Sequence, residues 1–577
     1  MFWILPIVSS IWLGYELIPF LKVRDLNIMM RIFSGWLLGV QITAMALYVI
    51  NFIIPFNFVI VLIISGGEIA GSLVLHKKGQ KSTLSFEKAP WFIAFIAFVA
   101  GCSFKHLSGV YKLAPEQSPT ALTPIMDREL SFIHSVLYGL NNRRRNVLFY
   151  ADPMISGKYY YGYSLPLLYT ASLMSTGLSY SGASIVICFI NTMATAFSIF
   201  NFAKKYTRWP ALAAFVYMFS GSWAGFLYFK AANRLNPNND LVHQLSKSHT
   251  TVWYHLFGYL LSLSKATSFT IAYSQYSIFW MPSDLSAIFA ACCPSVASSA
   301  ALFATLFGMQ NENKMLIGCT LTLILRIFPF DWTYKPLFRE AEMRGTFFAP
   351  IVIWWVGLGP IFTIIAVFFW VLPKSTFKYY FLSTVGPFLL LNFFREGNDH
   401  LQNSLAIACT LYPLSIVAFV ELMRRFINWP DDEENKGIAA FFMTFTIAFL
   451  LFGGFIVSRR LEFPRQYMIS DEDKEAIQWL RKIPKDSIVY GSPKQMSPIA
   501  VSGRQQFLGN KHELFALGVN IKKRLEEVSQ LSTEDINVWK QLKITHVLAE
   551  PVSSIVAPDG CEEISRNAKY SLCKIPQ

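Results

Sequence analysis

Apolar residues run in long blocks along this chain, and polar residues gather at the joints between them. The blocks span Phe2–Leu21, Ile32–Ile50, Ile53–Leu75, Trp91–Phe104, Leu165–Leu178, Ala183–Phe202, Pro210–Phe229, Leu285–Phe307, Met315–Phe330, Phe347–Val371, Tyr379–Phe394, Leu405–Val420 and Ile438–Val457. A helix that crosses the roughly 30 Å hydrocarbon core of a bilayer needs about 20 apolar residues. Lipid offers no partner to peptide groups, so blocks of this kind fold as helices. The first block is too long and too aromatic for a cleaved signal peptide and reads as a retained helix.

Past Arg459 the blocks stop and the pattern changes. Asp471-Glu472-Asp473-Lys474 opens a helix whose apolar stripe is Ala476, Ile477, Trp479, Leu480 and Ile483, with Pro484 as its stop. Ser487–Tyr490, Ile544–Ala549 and Tyr570–Ile575 read as strands, and Ile521–Leu531 as a helix. Helix and strand alternate, so residues 459–577 form a small α/β domain.

Positive charge orients the helices, because Lys and Arg concentrate in cytoplasmic loops. Arg424, Arg425 and Lys436 put the loop before the last block inside, which leaves the tail on the non-cytoplasmic side. Alternation upstream places 230–284 outside as a second external segment, and Lys204, Lys205 and Arg208 inside. From the other end, Lys22, Arg24, Arg31, Lys77, Lys78 and Lys81 are inside, so 109–182 forms the first external loop. The two counts meet only if Leu165–Leu178 lies in the interface without crossing. The reading is an α-helical polytopic membrane protein, with about twelve transmembrane helices in residues 1–458.

Composition agrees with this reading. Only 15% of the 577 residues are charged, against about 25% in soluble domains. The net charge of +14 fits attraction to anionic lipid, and no basic-aromatic module points to nucleic acid. Of eight cysteines, Cys561 and Cys573 alone sit in the polar tail, where an oxidising compartment would let them pair. No Cys/His metal spacing occurs. His243, His249 and His255 are spaced by six, which does not bring them to one helical face.

The candidate chemistry begins with Asp127-Arg128-Glu129, near the start of the first external loop. A carboxylate there accepts the proton of an attacking hydroxyl, holds a metal or an amide, or simply pairs with nearby bases in solvent. Arg143-Arg144-Arg145 runs against the positive-inside bias, and suits a phosphate, an anionic lipid headgroup or a solvated loop. Tyr159-Tyr160-Tyr161-Gly162-Tyr163 forms an interfacial aromatic belt, in which Tyr161 and Tyr163 also suit the rim of a lipid-carrier groove. Arg395, in Arg395-Glu396-Gly397-Asn398-Asp399-His400, is a further cation for a phosphate, or a member of a self-satisfied ion cluster. Glu16, Glu68 and Arg326 lie within or beside apolar blocks, where a charge costs about 2.5–3.5 kcal/mol on insertion scales.

The order of these motifs resembles the GT-C superfamily of polytopic glycosyltransferases, which use polyprenyl-phosphate-linked sugars. The residues that carry the resemblance are Asp127-Arg128-Glu129, then Tyr161-Gly162-Tyr163-Ser164-Leu165-Pro166-Leu167-Leu168, then Phe200-Asn201-Phe202-Ala203-Lys204-Lys205. A closer likeness, to an uncharacterised branch, rests on Phe219-Ser220-Gly221-Ser222-Trp223, Ser502-Gly503-Arg504, Gly509, Gly518 and Arg524. That branch carries an Asp-Asn-x-Lys element where this chain has Asn398-Asp399-His400-Leu401, so this role is not matched.

The resemblance implies a hexosyl transfer with inversion from a polyprenyl- or dolichyl-phosphate sugar to an acceptor hydroxyl at the lumenal or external face. It implies Asp127 as the base, with Glu129 as second choice, and Arg395 and then Arg143–Arg145 on the donor phosphate. A divalent metal is compatible with it, and no motif demands one. The implied location is the endoplasmic reticulum in a eukaryote and the plasma membrane in a prokaryote. A polytopic transporter and an inactive scaffold of the same fold are the competing readings. No inverted repeat and no matched pair of broken helices supports the transporter.

Overall fold

The computed structural model describes residues 2–21, 26–78, 84–85, 90–110, 127–146, 149–160, 164–220, 265–281, 283–309, 332–334, 360–372, 375–396, 401–428, 433–461, 469–493, 497–516, 519–550 and 555–576. The N-terminal region holds α1 (Ile4–Leu17), β1 (Leu26–Asn27), α2 (Ile28–Ile53), α3 (Phe58–Lys78), β2 (Leu84–Ser85) and α4 (Pro90–Val110). Then come α5 (Asp127–Tyr138), α6 (Leu165–Ser175), α7 (Tyr180–Lys204), α8 (Pro210–Phe219), α9 (Lys265–Phe279), α10 (Asp284–Cys292) and α11 (Val296–Met309). The membrane region closes with β3 (Trp332–Tyr334), α12 (Ile361–Val367), α13 (Ser375–Phe393), β4 (Phe394–Glu396), α14 (Leu401–Ile427) and α15 (Glu433–Leu461).

Among the described residues four helices are long and apolar enough to cross a membrane: Ile4–Leu21, Ile28–Ile53, Phe58–Lys78 and Tyr180–Lys204. The chain is thus a helical polytopic membrane protein. The helices start where their caps dictate. Asn27 accepts the Met29 N–H at 2.9 Å to open α2, and Ser179 accepts the Gly182 N–H at 3.1 Å to open α7. The block at 285–307 is broken in two at Cys293-Pro294-Ser295, because the residue before a proline takes an extended backbone (Cys293 φ −63°, ψ 122°).

Packing between α1 and α2 depends on missing side chains. A Cβ on Gly39 would lie 1.8 Å from the Ser10 carbonyl oxygen, so only glycine admits this approach. The acids inside these helices are paired. Glu68 accepts from Ser9 Oγ at 2.5 Å and from Thr43 Oγ1, and Glu16 meets His76 Nδ1 at 3.0 Å and Arg31 at 3.9 Å. Arg326 lies outside the described residues.

Two helices are not apparent from hydropathy. α9 reads Lys-Ala-Thr-Ser-Phe-Thr-Ile-Ala-Tyr-Ser-Gln-Tyr-Ser-Ile-Phe and lies in the core against α7 and α14. Two of its hydroxyls donate to the preceding turn, Thr270 to the Ala266 carbonyl at 2.8 Å and Ser274 to the Thr270 carbonyl at 2.7 Å. This helix falls within the 230–284 stretch read as external. It starts beside Glu129 of α5, and at its far end the Phe279 carbonyl accepts from Lys205, a residue assigned to the cytoplasm by charge, at 2.8 Å. The second is α5, which makes the region of the acidic triplet a buried helix where an open loop was expected. α6 spans 11 residues, about 16 Å, well short of a bilayer core.

The tail folds as α16 (Asp471–Lys482), β5 (Ile488–Tyr490), α17 (Pro498–Ser502), β6 (Gln505–Gln506), α18 (Lys511–Ala516), α19 (Lys522–Ser529), α20 (Ile536–Gln541), β7 (His546–Ala549), β8 (Glu562–Arg566) and β9 (Ser571–Lys574). Its strands form one mixed sheet in the order β6-β5-β7-β9-β8. The acidic helix start is a capping box, with Ser470 and Asp473 each accepting the other's backbone N–H. Both tail cysteines are free, Cys573 buried and Cys561 half-buried. Burial, then the neighbouring Cys573, push the Cys561 thiol up to about 12.

Candidate functional site

Asp127 is the first residue of α5; its side chain lies outside the described residues. The two residues after it are fixed by buried ion pairs. Arg128 donates from Nη2 to Asp152 Oδ2 at 3.0 Å and lies 4.4 Å from the Tyr160 ring centre. Asp152 also accepts the Met154 N–H at 2.9 Å. Glu129 turns the other way. Its Oε1 accepts the Ala266 N–H at 3.0 Å, and its Oε2 lies 3.2 Å from both the Lys265 N–H and Lys265 Nζ. Lys265 is fully buried (0% exposed) and also donates to Tyr180 Oη at 2.6 Å and Ser184 Oγ at 3.2 Å. Glu129 therefore caps the start of α9 and neutralises a lysine there; both of its oxygens are engaged.

The tail reaches this helix at three levels. Glu513 accepts the Arg128 N–H at 3.2 Å, satisfying a donor in the first turn of α5. The Val501 carbonyl bonds His134 Nδ1. Arg504, 1% exposed, donates to the Tyr138 carbonyl at 2.6 Å and to the carbonyls of Arg481 and Ile483 at 2.7 and 2.9 Å. Gly503 makes the contact possible. It holds φ +82°, and a Cβ on it would lie 2.4 Å from the His134 oxygen; a Cβ on Gly139 would lie 1.8 Å from the Gly503 oxygen. Burial and the nearby Arg481 charge push His134 down to about 3, so it is neutral at ordinary pH.

A further set of contacts ties the following segment to the sheet. The Gln506 N–H donates to Pro153 at 2.8 Å, Gly509 to Met154 at 2.7 Å, and Arg524 Nη2 to the Ser156 carbonyl at 2.6 Å. Ile155 bridges Leu508 in antiparallel fashion. Residues 152–156 thus cover the sheet edge at β6. The tail signature Ser502-Gly503-Arg504, Gly509 and Arg524 is a docking surface for the α5 region; Gly518 lies outside the described residues.

The three consecutive arginines do not act together. Arg143 and Arg145 are exposed, Arg145 lying 3.5 Å from Asp486, whereas Arg144 is buried against Tyr48. They follow the C-terminal end of α5, and Asp127 opens its N-terminal end, so about 18 Å of helix separates them. Arg395 is in β4, paired with Thr333 of β3; its side chain lies outside the described residues. Tyr161, Tyr163 and the three external histidines are also outside them. Among the described residues no three His, Cys, Asp or Glu side chains come together as a metal site. Sequence reasoning passed over Asp152, Lys265 and Glu513. The first lies in an unremarkable loop, and the others reach α5 from distant parts of the chain.

No protein-family model matches the chain, and no curated protein does. Solved structures do. The oligosaccharyltransferase of Archaeoglobus fulgidus, tethered to an acceptor peptide, shares 12% identity over 80% of this chain and 69% of that one, with a TM-score of 0.41. The same protein, AglB, in complex with an inhibitory peptide and a dolichol-phosphate shares 12% over 81% and 70%, with a TM-score of 0.36. ArnT from Cupriavidus metallidurans bound to undecaprenyl phosphate shares 10% over 84% and 98%, with a TM-score of 0.37.

Proposed function

We propose that this protein is a membrane glycosyltransferase that moves a sugar from a polyprenyl-phosphate-linked donor to an acceptor hydroxyl at the lumenal or external membrane face. The observation that carries the reading is the fixation of α5. The helix opens with Asp127, and the next two residues are locked by Asp152, Lys265 and Glu513. Holding the helix that carries a base in a fixed position is what acid–base chemistry requires. The motif order in the sequence supports the same reading.

In the reaction, the Asp127 carboxylate accepts the proton of the acceptor hydroxyl as that oxygen attacks the anomeric carbon. The bond from that carbon to the phosphate oxygen breaks with inversion, and the lipid phosphate departs carrying the electron pair. Arg395 offsets the charge that develops on the phosphate. Glu129 holds α9 to α5 and is not the base.

The test is transfer from radiolabelled polyprenyl-phosphate sugars by purified protein. Asp127→Asn is expected to lower the rate by about 10²–10⁴-fold with its unfolding midpoint unchanged. Wild-type rates in that variant would remove Asp127 from the mechanism.

A further inference from the structure

Arg144 is a buried cation with no matching anion among the described residues. It is 4% exposed, and its N–H donates to the Asn51 carbonyl at 3.0 Å, which anchors it to the end of α2. Its guanidinium carbon lies 3.6 Å from the ring centre of Tyr48, 5.5 Å from Tyr150 and 5.7 Å from Phe52. These rings hold the charge by cation–π attraction, with a side-chain hydrogen bond to Tyr48. No carboxylate among the described residues forms an ion pair with it. Nε and Nη1 have no hydrogen-bond partner among the described residues, nor do two polar atoms of the same cluster, Tyr150 Oη and Asn51 Oδ1.

Ring faces attract a cation but accept none of its in-plane N–H bonds. A desolvated guanidinium with two unmet nitrogens is strongly unfavourable unless an anion completes it. The surroundings say which anion. Ile53, Ile54 and Val59, at the facing ends of α2 and α3, are exposed (Ile53 by 63%), and next to Tyr150 in the chain Phe149, in ring contact with Tyr159, adds exposed aromatic surface. Arg143 and Arg145 add exposed positive charge on either side. Apolar surface for chains, an aromatic belt and a buried guanidinium together match a lipid headgroup carrying a phosphate.

The geometry points to a phosphate-binding site at Arg144, completed by the Tyr150 hydroxyl, that takes the headgroup of an anionic membrane lipid. Arg144 and Tyr150 donate to the phosphate oxygens, and Asn51 Oδ1 accepts a headgroup hydroxyl. The site is at the far end of α5 from Asp127, about 18 Å along the helix, beyond reach of a sugar reacting there. It is therefore a second lipid site, and does not depend on the transferase reading.

The test uses the full chain in nanodiscs of phosphatidylcholine alone, phosphatidylcholine with phosphatidylglycerol, or phosphatidylcholine with inorganic phosphate in the buffer. The anionic lipid is expected to raise the thermal unfolding midpoint of wild type, and Arg144→Gln to lose that shift. Arg143→Gln/Arg145→Gln keeps most of it. Tyr150→Phe preserves the packing and is expected to weaken phosphatidylglycerol retention in detergent by about tenfold; it carries the test if Arg144→Gln does not fold. An equal midpoint in neutral and anionic bilayers overturns the proposal, as does a full shift in both Arg144→Gln and Tyr150→Phe. A shift with inorganic phosphate equal to that with lipid would overturn the lipid assignment.

Discussion

Replacing Glu129 should damage the fold more than replacing its partner. In Glu129→Ala the Lys265 ammonium remains fully buried with only two neutral hydroxyls, Tyr180 and Ser184. The N–H groups of Lys265 and Ala266 lose their acceptor as well. Breaking a buried pair from one side costs about 3–5 kcal/mol, and loss of a helix cap about 1 kcal/mol, so a loss of about 4–6 kcal/mol is expected. Lys265→Met is milder, because the carboxylate stays on two N–H groups at the positive end of α9; about 1–3 kcal/mol is expected. In the double variant neither charge is stranded, so the two losses do not add; the coupling is expected to reach about 2 kcal/mol. Unfolding of the purified protein in mixed detergent–SDS micelles, followed by tryptophan fluorescence, measures all four corners of the cycle. Losses that add within about 0.5 kcal/mol, or a Lys265→Met loss as large as that of Glu129→Ala, would refute the reasoning.

Two other outcomes follow from the tail contacts. Arg504→Ala leaves the carbonyls of Tyr138, Arg481 and Ile483 short of a donor, at about 1–3 kcal/mol for each group that water does not reach. Hydrogen exchange is expected to quicken in α5 and in the tail together, and a change confined to the tail would count against the shared unit. His134 sits at about 3 in the folded state, against about 6.5 when unfolded. Its contribution is complete above pH 6.5 and falls away as the pH drops toward 3, by about 2 kcal/mol at pH 5. His546, down at about 4 through burial and Lys574, acts in the same direction. Stability measured from pH 7 to pH 5 should fall less steeply in His134→Gln, and an unchanged slope would dismiss this origin.

The membrane helices were legible because lipid imposes a length and a composition on each of them. Where a helix is sheltered by its neighbours that constraint lapses. α9 carries five Ser or Thr in 15 residues, and hydropathy passes over it. α5 is another such case: Arg128, Glu129, Ser131, His134 and Ser135 look like loop chemistry, yet all five are buried. In the tail, α16, α19, β5, β7 and β9 were readable from the acidic helix start and the apolar runs, whereas the short α17, β6, α18 and α20 and the charged edge strand β8 were not. Its Ser-Gly-Arg signature was visible as a pattern but not as a contact surface. That role depends on Gly139 and the Tyr138 carbonyl, some 366 positions earlier in the chain. The triple arginine shows the opposite limit: one sequence motif divides into two exposed cations and one enclosed by aromatic rings.

The reach of Glu513 back to Arg128 spans 385 positions. A ribosome adding about 5–20 residues per second needs roughly 20–80 s to cover that interval. Through that time the newly made α5 has no tail on which to dock, and its ionisable groups wait without those partners. Final assembly of this face therefore waits until Glu513 and its neighbours in the tail have been made.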